Sequence, residues 1–297
     1  AEGRLSAALE QADRAVRLAP ADAEVHREVG LLRWRHGDLD SALAALEEAI
    51  ALAPAAPQLR VELAQVYEAK GWFNEAVGQY EKVLDLAPEN ALYRSLLGGL
   101  LRRAGRMEEA LQVLSEAIAR DPTCGEAYFQ MGQLHRTEGR QDEAMVAFGR
   151  ALESGSMDPT LYRRLAEALA QGAAWDLYEQ ALEAALHVDP KDPQVHFLAG
   201  SVAESRGDWE QACKAYREAA LLAPTAPEHH ERLGAALLRL GRAPQAVEAL
   251  TQAVALNPKR AATHHLLAQA QQEAGHPDEA LAELQEAVWL APEDHEI

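Results

Sequence analysis

The apolar and small residues of this chain follow a pattern that repeats every 34 residues. In one period, small residues stand at Gly98 and Ala110, a further glycine at Gly105, and a proline at Pro122. Steps of 34 residues from that proline reach eight prolines in nine places, with Ser156 as the exception. Strong helix formers fill the stretches between these marks, and β-branched residues are scarce. The pattern predicts an all-α chain of repeated helical hairpins.

Repeat boundaries follow when the proline is numbered as position 32 of its repeat. Whole repeats then cover 23–56, 57–90, 91–124, 125–158, 159–192, 193–226, 227–260 and 261–294, after a half repeat over 1–22. Position 15 is glycine in seven repeats, and a residue free to take a positive φ ends a first helix, helix A, before a second, helix B. We expect one elongated solenoid over residues 1–297, with residues 4–19 as a helix B.

Positions 8 and 20 are small in nearly every repeat, so we expect helices A and B to cross closely there. The N-cap of helix B is expected at position 18, where five repeats have Asp40, Asn74, Asp142, Asp176 and Asp278. Between repeats, Asp158-Pro159 and Asp192-Pro193 place a cap before a proline at the first helical position.

The pattern fails in one region. Ser156 replaces the proline, Gly172 comes one residue early, and Tyr178 stands at position 20. A tyrosine at so close a crossing costs about 1–3 kcal/mol unless the helices separate. The region is either a tolerated irregularity or a bend of the solenoid that shapes a ligand groove.

These motifs resemble the tetratricopeptide repeat, whose pattern is W-x2-L-G-x2-Y, then A-x3-F, then P. Repeat 125–158 matches it at Tyr128, Met131, Gly132, Ala144, Phe148 and Ala151. Repeat 57–90 matches it at Leu63, Ala64, Tyr67, Ala76, Tyr80 and Pro88. The resemblance covers the whole chain and implies a right-handed α-solenoid superhelix, with A helices lining a concave groove and B helices forming the convex back. It also implies a protein-binding scaffold with no chemistry of its own.

Charge and cysteine usage narrow the function classes. The net charge of −19 repels phosphate backbones, so we expect no nucleic-acid partner. Cys124 and Cys213 lie in different repeats, so we expect free thiols and a reducing cytoplasm, with the periplasm as an alternative. No apolar run approaches the roughly 18 residues of a membrane span. The chain starts at Ala1, inside a repeat and without Met, so we expect an excerpt of a longer protein.

Histidine recurs at position 4, as His26, His196, His230 and His264, which invites a metal hypothesis. Equivalent positions on neighbouring helices lie about 8–10 Å apart, whereas zinc ligands sit about 2 Å from the ion. We therefore expect structural histidines in place of the family's aromatic residue. No nucleophile with a partnered base and no Gly-rich phosphate loop stands out, so we expect neither a cofactor nor enzymatic activity.

Family geometry points positions 2, 5, 9, 12 and 13 of each helix A into the groove, and we call these the groove positions. They carry seven arginines, namely Arg27, Arg35, Arg102, Arg103, Arg136, Arg163 and Arg239. They carry eight glutamates, namely Glu24, Glu68, Glu126, Glu167, Glu204, Glu228, Glu231 and Glu273. The groove positions are thus nearly neutral in a strongly acidic chain. We expect a groove that is basic and aromatic on its N-terminal side and acidic toward the other end.

The expected ligand contacts are Arg27, Trp34, Arg35, Arg102, Arg103, Phe129, Arg136, Arg163 and Phe197. The arginines of the third to fifth whole repeats form the contact centre, and Phe129 is expected to supply aromatic contact area. Such a cluster suits an acidic peptide with one apolar residue, because guanidinium groups pair carboxylates at two points. In the competing interpretation, Glu126 and Glu167 already pair these arginines into a solvated lattice without a ligand.

The leading hypothesis is a non-enzymatic scaffold that binds a peptide or helix of a partner protein in its groove. The alternative is a regulatory or substrate-recruiting arm of a larger enzyme or of a secretion or assembly protein. A third hypothesis is self-association through the solenoid ends, because the large apolar Trp289 on the last helix should be covered. The chain has 23 arginines and 5 lysines, which hints at a GC-rich bacterial genome.

Overall fold

The computed structural model describes residues 10–12, 14–170 and 174–291. Within these residues the chain is all-α and contains no strand, as the sequence pattern predicts. The helices are α1 (Ala23–Arg35), α2 (Leu39–Leu52), α3 (Pro57–Ala69), α4 (Phe73–Leu86), α5 (Ala91–Arg103), α6 (Met107–Arg120), α7 (Gly125–Thr137), α8 (Gln141–Glu153), α9 (Pro159–Leu169), α10 (Trp175–Val188), α11 (Pro193–Ser205), α12 (Trp209–Leu222), α13 (Pro227–Arg239), α14 (Ala243–Leu256), α15 (Ala261–Glu273) and α16 (Pro277–Leu290).

Odd-numbered helices are the A helices of successive hairpins, and even-numbered helices are the B helices. The first residues of the A helices are 34 positions apart, from Ala23 to Ala261. Residues 10–12 and 14–18 are also helical. They belong to the helix B expected over residues 4–19, of which residues 4–9 and 13 lie outside the described chain.

The turn between the two helices of a hairpin depends on a glycine in the left-handed region. Seven glycines at position 15 have φ between 68° and 89°, as the spacing predicts. At Gly105 the turn is closed by two backbone hydrogen bonds, from Gly105 N to Arg102 O at 3.0 Å and from Arg106 N to Leu101 O at 2.9 Å. A side chain at such a φ is strained, so glycine fixes where helix A stops.

The two helices of a hairpin approach each other closely where helix A has a glycine. A Cβ atom added to Gly132 would lie 2.5 Å from Cε1 of Phe148. Gly98 faces Leu114, Gly200 faces Tyr216 and Gly234 faces Leu250 in the same way. The close crossing predicted at position 8 is therefore confirmed, and its partner is the large buried residue at position 24 of helix B.

The N-caps of the B helices lie at a different repeat position from the one expected. Each helix B begins at position 17, so its N-cap is position 16 rather than 18. Only Asp38 and Asp208 cap these helices with their side chains among the described residues. The four aspartates at position 18 lie in the first turn, where the helix dipole favours a negative charge, and the uncharged Asn74 lies at the same place in α4. The caps predicted at Asp158 and Asp192 are confirmed, with bonds to Thr160 N at 2.9 Å and Gln194 N at 2.8 Å.

Tyr178 occupies its crowded position with its ring fully buried. It is 1% exposed, and its hydroxyl donates to the carbonyl of Leu198 on α11 at 3.2 Å. The edge of the Trp175 ring packs against it, with the ring centroids 6.1 Å apart. Burial, followed by the Glu167 carboxylate, raises the pKa of Tyr178 to about 12. The hydroxyl therefore has a partner on helix A of the next hairpin, and Gly172 lies outside the described residues.

The chain divides into two compact units, Ala1–Ser156 and Met157–Ile297. The division falls at the junction where Ser156 replaces the repeated proline. The first unit contains α1–α8, and one of its core clusters runs from Val61 to Ala147. The second contains α9–α16, with a core cluster from Ala203 to Ala270. The single solenoid and the functional bend both stay predictions. The prediction that another element or molecule covers Trp289 also stays a prediction, and this side chain is 74% exposed.

The face of the A helices

The groove positions share one face of each helix A, because residues three, four and seven apart lie on one side of an α-helix. We call this surface the A-helix face. Within the first unit, consecutive A helices α5 and α7 contact each other, and so do α1 and α3. The A-helix face of this unit carries five arginines and three glutamates. The groove positions of this unit therefore carry more arginines than glutamates, in a chain whose net charge is −19.

Arg27 on α1 is fixed by a two-point ion pair with the next helix A. Its Nε lies 2.9 and 2.8 Å from the two carboxylate oxygens of Glu62 on α3, and its Nη1 lies 2.6 Å from Glu24 Oε1. Glu62 is 4% exposed, so the pair is largely desolvated on the carboxylate side. The hydrogen bond that Arg27 donates to Glu62 is the main reason that the pKa of Arg27 is raised. Arg27 therefore joins two repeats, and its guanidinium group is already engaged by carboxylates of the chain.

The arginines expected at the contact centre lie on both units and are held by different partners. Arg103 pairs with Glu68 on the preceding helix A, with Nη2 and Oε2 2.9 Å apart. Arg136 donates to Gln133 on its own helix at 2.6 Å, and Arg102 is half-buried on α5. These three belong to the first unit. Arg163 belongs to the second, where its Nε lies 3.5 Å from Asp192 Oδ2.

Aromatic residues at the groove positions are less exposed than the sequence suggests. Phe129 is only 4% exposed, and its ring packs on Phe148 with centroids 5.9 Å apart. The prediction that Phe129 supplies contact area to a ligand is corrected, because the ring fills its own hairpin. Trp34 is half-buried against the core cluster around Leu46. Phe197 is half-buried beside Tyr216 and His229, with centroids 5.5 and 5.2 Å away. Arg35, by contrast, is exposed at the end of α1.

The A helices carry a layer of buried polar groups, with Glu126 and Glu231 at groove positions, and sequence reasoning missed that these groups are buried. Gln130 on α7 is 3% exposed and donates to Glu126 at 2.7 Å, and its Oε1 lies over Gly99 of α5. In the second unit, Glu231 accepts from Thr263 and pairs with Arg260 at 3.0 Å. Glu231 and Gln130 stand at positions 5 and 6, and no charge count distinguishes a buried polar residue from a solvated one.

The histidines at position 4 hold the junctions between repeats. Nε2 of each contacts the carbonyl of the proline six residues earlier, in the pairs His26–Pro20 at 3.0 Å, His196–Pro190 at 3.0 Å, His230–Pro224 at 3.1 Å and His264–Pro258 at 3.0 Å. Arg94 reaches Pro88 O in the same way at 2.8 Å. A carbonyl only accepts, so Nε2 carries hydrogen in each pair. The constant six-residue separation is the sequence signal for this contact.

Three further features bear on function. Among the described residues, no group of three or more His, Cys, Asp or Glu side chains is placed to hold a metal ion. Cys124 and Cys213 are free thiols, and Cys213 is buried. No helix within the described ranges combines the length and hydropathy needed to cross a membrane.

Comparison with known proteins gives two matching family models. One, described as Cilia and flagella-associated protein 70 C-terminal domain, matches residues 1–232. The other, described as Tetratricopeptide repeat, matches residues 237–297. A comparison with curated protein sequences finds no match.

Several solved structures share the fold. MamA is 18% identical, with a TM-score of 0.51 over 57% of this chain and 92% of that one. YrrB, described as a TPR protein with an unusual peptide-binding site, is 21% identical, with a TM-score of 0.50 over 65% of this chain and 97% of that one. The APC/C hetero-tetramer Cut9-Hcn1 provides a chain that is 19% identical, with a TM-score of 0.49 over 96% of this chain. This chain spans 56% of the length of that one.

Proposed function

This chain belongs to the tetratricopeptide-repeat family, and on that premise we propose that it is a non-enzymatic scaffold that binds an acidic peptide or helix of a partner protein. The binding surface is the A-helix face of the first unit. The observation that carries the proposal is the charge at the groove positions of this face, five arginines and three glutamates in a chain of net charge −19, and of these arginines Arg27 is already paired with Glu62. Such a contrast steers an acidic segment toward one side of the molecule.

The arginines are positioned before a ligand arrives. Glu68 holds Arg103, and Gln133 holds Arg136, so both guanidinium groups lose little further freedom on binding. A guanidinium group has five donors, so one pair leaves donors for a ligand carboxylate. The fold of YrrB is shared with this chain, and its description as a peptide-binding protein supports a peptide ligand here.

The test begins with a peptide selected from a displayed random library on the whole chain. Fluorescence polarisation then measures its affinity for the wild type and for Arg102→Glu with Arg136→Glu. We expect at least about a tenfold loss, because two charge-assisted contacts become repulsive. Higher salt should weaken binding to the wild type more than to the variant.

The matched control is Arg120→Glu with Arg150→Glu. These residues are exposed on the B helices of the same two repeats, so the change in net charge is identical. The control should bind within about twofold of the wild type. Failure to select any peptide, or equal losses in both double variants, contradicts the proposed surface.

A further inference from the structure

An open cleft lies on the other side of the first unit, between helices α6 and α8. Its volume is about 480 Å³, within the range of ligand sites. Ile118 of α6, Met131 and His135 of α7, and Val146 of α8 line it. All of these residues belong to the first unit, and none is a groove position.

The cleft faces away from the A-helix face. On α7 the groove positions include Gln133 and Arg136, whereas the cleft is lined by Tyr128, Met131 and His135. At about 100° per residue, these two sets point to nearly opposite sides of the helix. A ligand in the cleft therefore leaves the A-helix face accessible.

Val146 gives the cleft an exposed apolar wall. It is 67% exposed on the surface of α8. Position 22 is otherwise occupied by Ala44, Gly78, Gln112, Gln180, Lys214, Glu248 and Ala282, so no other repeat has a branched aliphatic residue there. Beside it, Met131 is an unbranched side chain that adapts to the shape of an incoming group.

His135 adds a polar point to the wall. Its Nδ1 is buried and has no hydrogen-bond partner within the described part of the chain. Burial, and then the Arg140 guanidinium, lower the pKa of His135, so its ring is neutral at neutral pH. The ring therefore adds no positive charge to the cleft.

The rim of the cleft is acidic. Asp142 and Glu143 are exposed in the first turn of α8, and neither forms an ion pair within the described ranges. Arg150, also on the rim, is paired with Glu153 at 3.2 Å. The charge open to a ligand at this edge is therefore negative, and it complements a basic segment.

The second unit has a cleft at the same place in the hairpin α13–α14, and its lining is different. That cleft measures about 400 Å³ and has Glu248 in place of Val146 and Gln245 in place of Glu143. Arg217 also contributes to its lining. The combination of an exposed aliphatic wall and an acidic rim thus belongs to the first-unit cleft and not to the repeat architecture.

From these contacts we infer that the α6–α8 cleft is a second docking site, which takes an aliphatic side chain flanked by Lys or Arg from a partner protein segment. The aliphatic side chain covers Val146 and Met131, and the basic residues face Asp142 and Glu143. The scaffold would then hold two partners of opposite charge on opposite sides of one unit. The inference does not depend on a ligand of the A-helix face.

The probe is the fluorescein-labelled peptide Gly-Ser-Lys-Lys-Leu-Lys-Lys-Ser-Gly, measured by fluorescence polarisation on the whole chain. Two further peptides replace the leucine by serine, or the lysines by glutamate. We expect the wild type to bind the leucine peptide about tenfold more tightly than either, because one buried aliphatic side chain and the basic residues both contribute.

Matched variants locate the peptide. Val146→Glu, which copies Glu248, should remove the preference for leucine, whereas Gln112→Glu at the same position of α6 should keep it. Asp142→Lys with Glu143→Lys should weaken binding about tenfold. Glu108→Lys with Glu109→Lys, at the equivalent positions of α6, should not. All four variants change only exposed residues, and circular dichroism checks the fold of each variant.

Three results overturn the inference. The first is the absence of saturable binding of the leucine peptide to the wild type. The second is equal affinity for the leucine and serine peptides, which means that only charge is recognised. The third is an equal effect of each cleft variant and its α6 control, which places the contact elsewhere.

Discussion

At the scale of the residue, one missing methyl group sets how closely two helices pack. Gly132 lies against the ring of Phe148, which is fully buried, and a Cβ atom there has no space. Gly78 on α4 is also helical, yet an added Cβ would meet no atom within 4 Å. The two glycines therefore differ in function, although both stand inside helices.

We predict opposite effects of alanine at these two glycines. Gly132→Ala should lower the free energy of unfolding by about 1–3 kcal/mol, because the core is overpacked. Gly78→Ala should raise it by about 0.5–1 kcal/mol, because alanine favours the helix. Urea unfolding followed at 222 nm measures both. A stabilised Gly132→Ala would show that the hairpin tolerates a wider crossing.

Residue spacing predicts the turn glycines and close crossings because each depends on one residue and its immediate backbone. It does not predict that Phe129 is buried, since helical position alone cannot show that the ring packs on Phe148. It also misses the polar layer at Gln130 and Glu126, which depends on the helix that covers them. Burial in a repeat protein is set partly by the neighbouring repeat.

At the scale of the element, the junction between repeats depends on the contact from position 4 to the proline carbonyl. His196 makes this contact alone, whereas His264 is 5% exposed and also lies 2.6 Å from Glu283 Oε2 through Nδ1. The second contact ties the start of α15 to the middle of α16. The two junctions should therefore differ in strength.

We predict that His264→Ala destabilises the chain more than His196→Ala. Loss of one hydrogen bond should cost about 1 kcal/mol at His196, and loss of the bond to a carboxylate should bring the cost to about 2–3 kcal/mol at His264. Thermal unfolding by calorimetry compares the two variants. Equal shifts of the transition would mean that the contact with Glu283 contributes nothing.

Tyr178 makes helix α10 sensitive to alkaline pH. Its pKa is about 12 in the fold, and an unfolded tyrosine ionises near 10. The folded state keeps the proton longer, so the stability is fully present below about pH 10 and falls as pH rises toward about 12. The loss is on the order of 2 kcal/mol for this one group.

We predict that Tyr178→Phe flattens the alkaline decline, although it also removes the bond to Leu198. The slope of the unfolding free energy between pH 10 and 12 should be smaller than in the wild type. Tyr67, whose pKa burial also raises to about 12, keeps part of the slope in the variant. Urea unfolding at a series of pH values measures the slope. An unchanged slope would show that Tyr178 ionises equally in both states.

At the scale of the whole molecule, the repeat predicts the helices but not their grouping. The 34-residue spacing gives eight A helices and eight B helices in the described chain. At residues 156 and 157 themselves, the sequence sign of the division is the loss of the repeated proline at Ser156. Grouping depends on packing between hairpins, which no single position records.

The distribution of charge over the whole chain supports the proposed binding surface on the A helices. The chain has a net charge of −19, and arginine is concentrated at the groove positions of the first unit. The contacts of Arg27 with Glu62 and of Arg103 with Glu68 show that part of this charge already joins neighbouring repeats. The proposal requires that the remaining donors bind a partner segment along the A helices.

The most direct test is photo-crosslinking of the selected peptide with one residue replaced by benzoylphenylalanine, followed by mass spectrometry. The account predicts crosslinks on helices α1, α3, α5 and α7. Crosslinks confined to α2, α4, α6 and α8 would contradict it, because the ligand would then lie on the B helices.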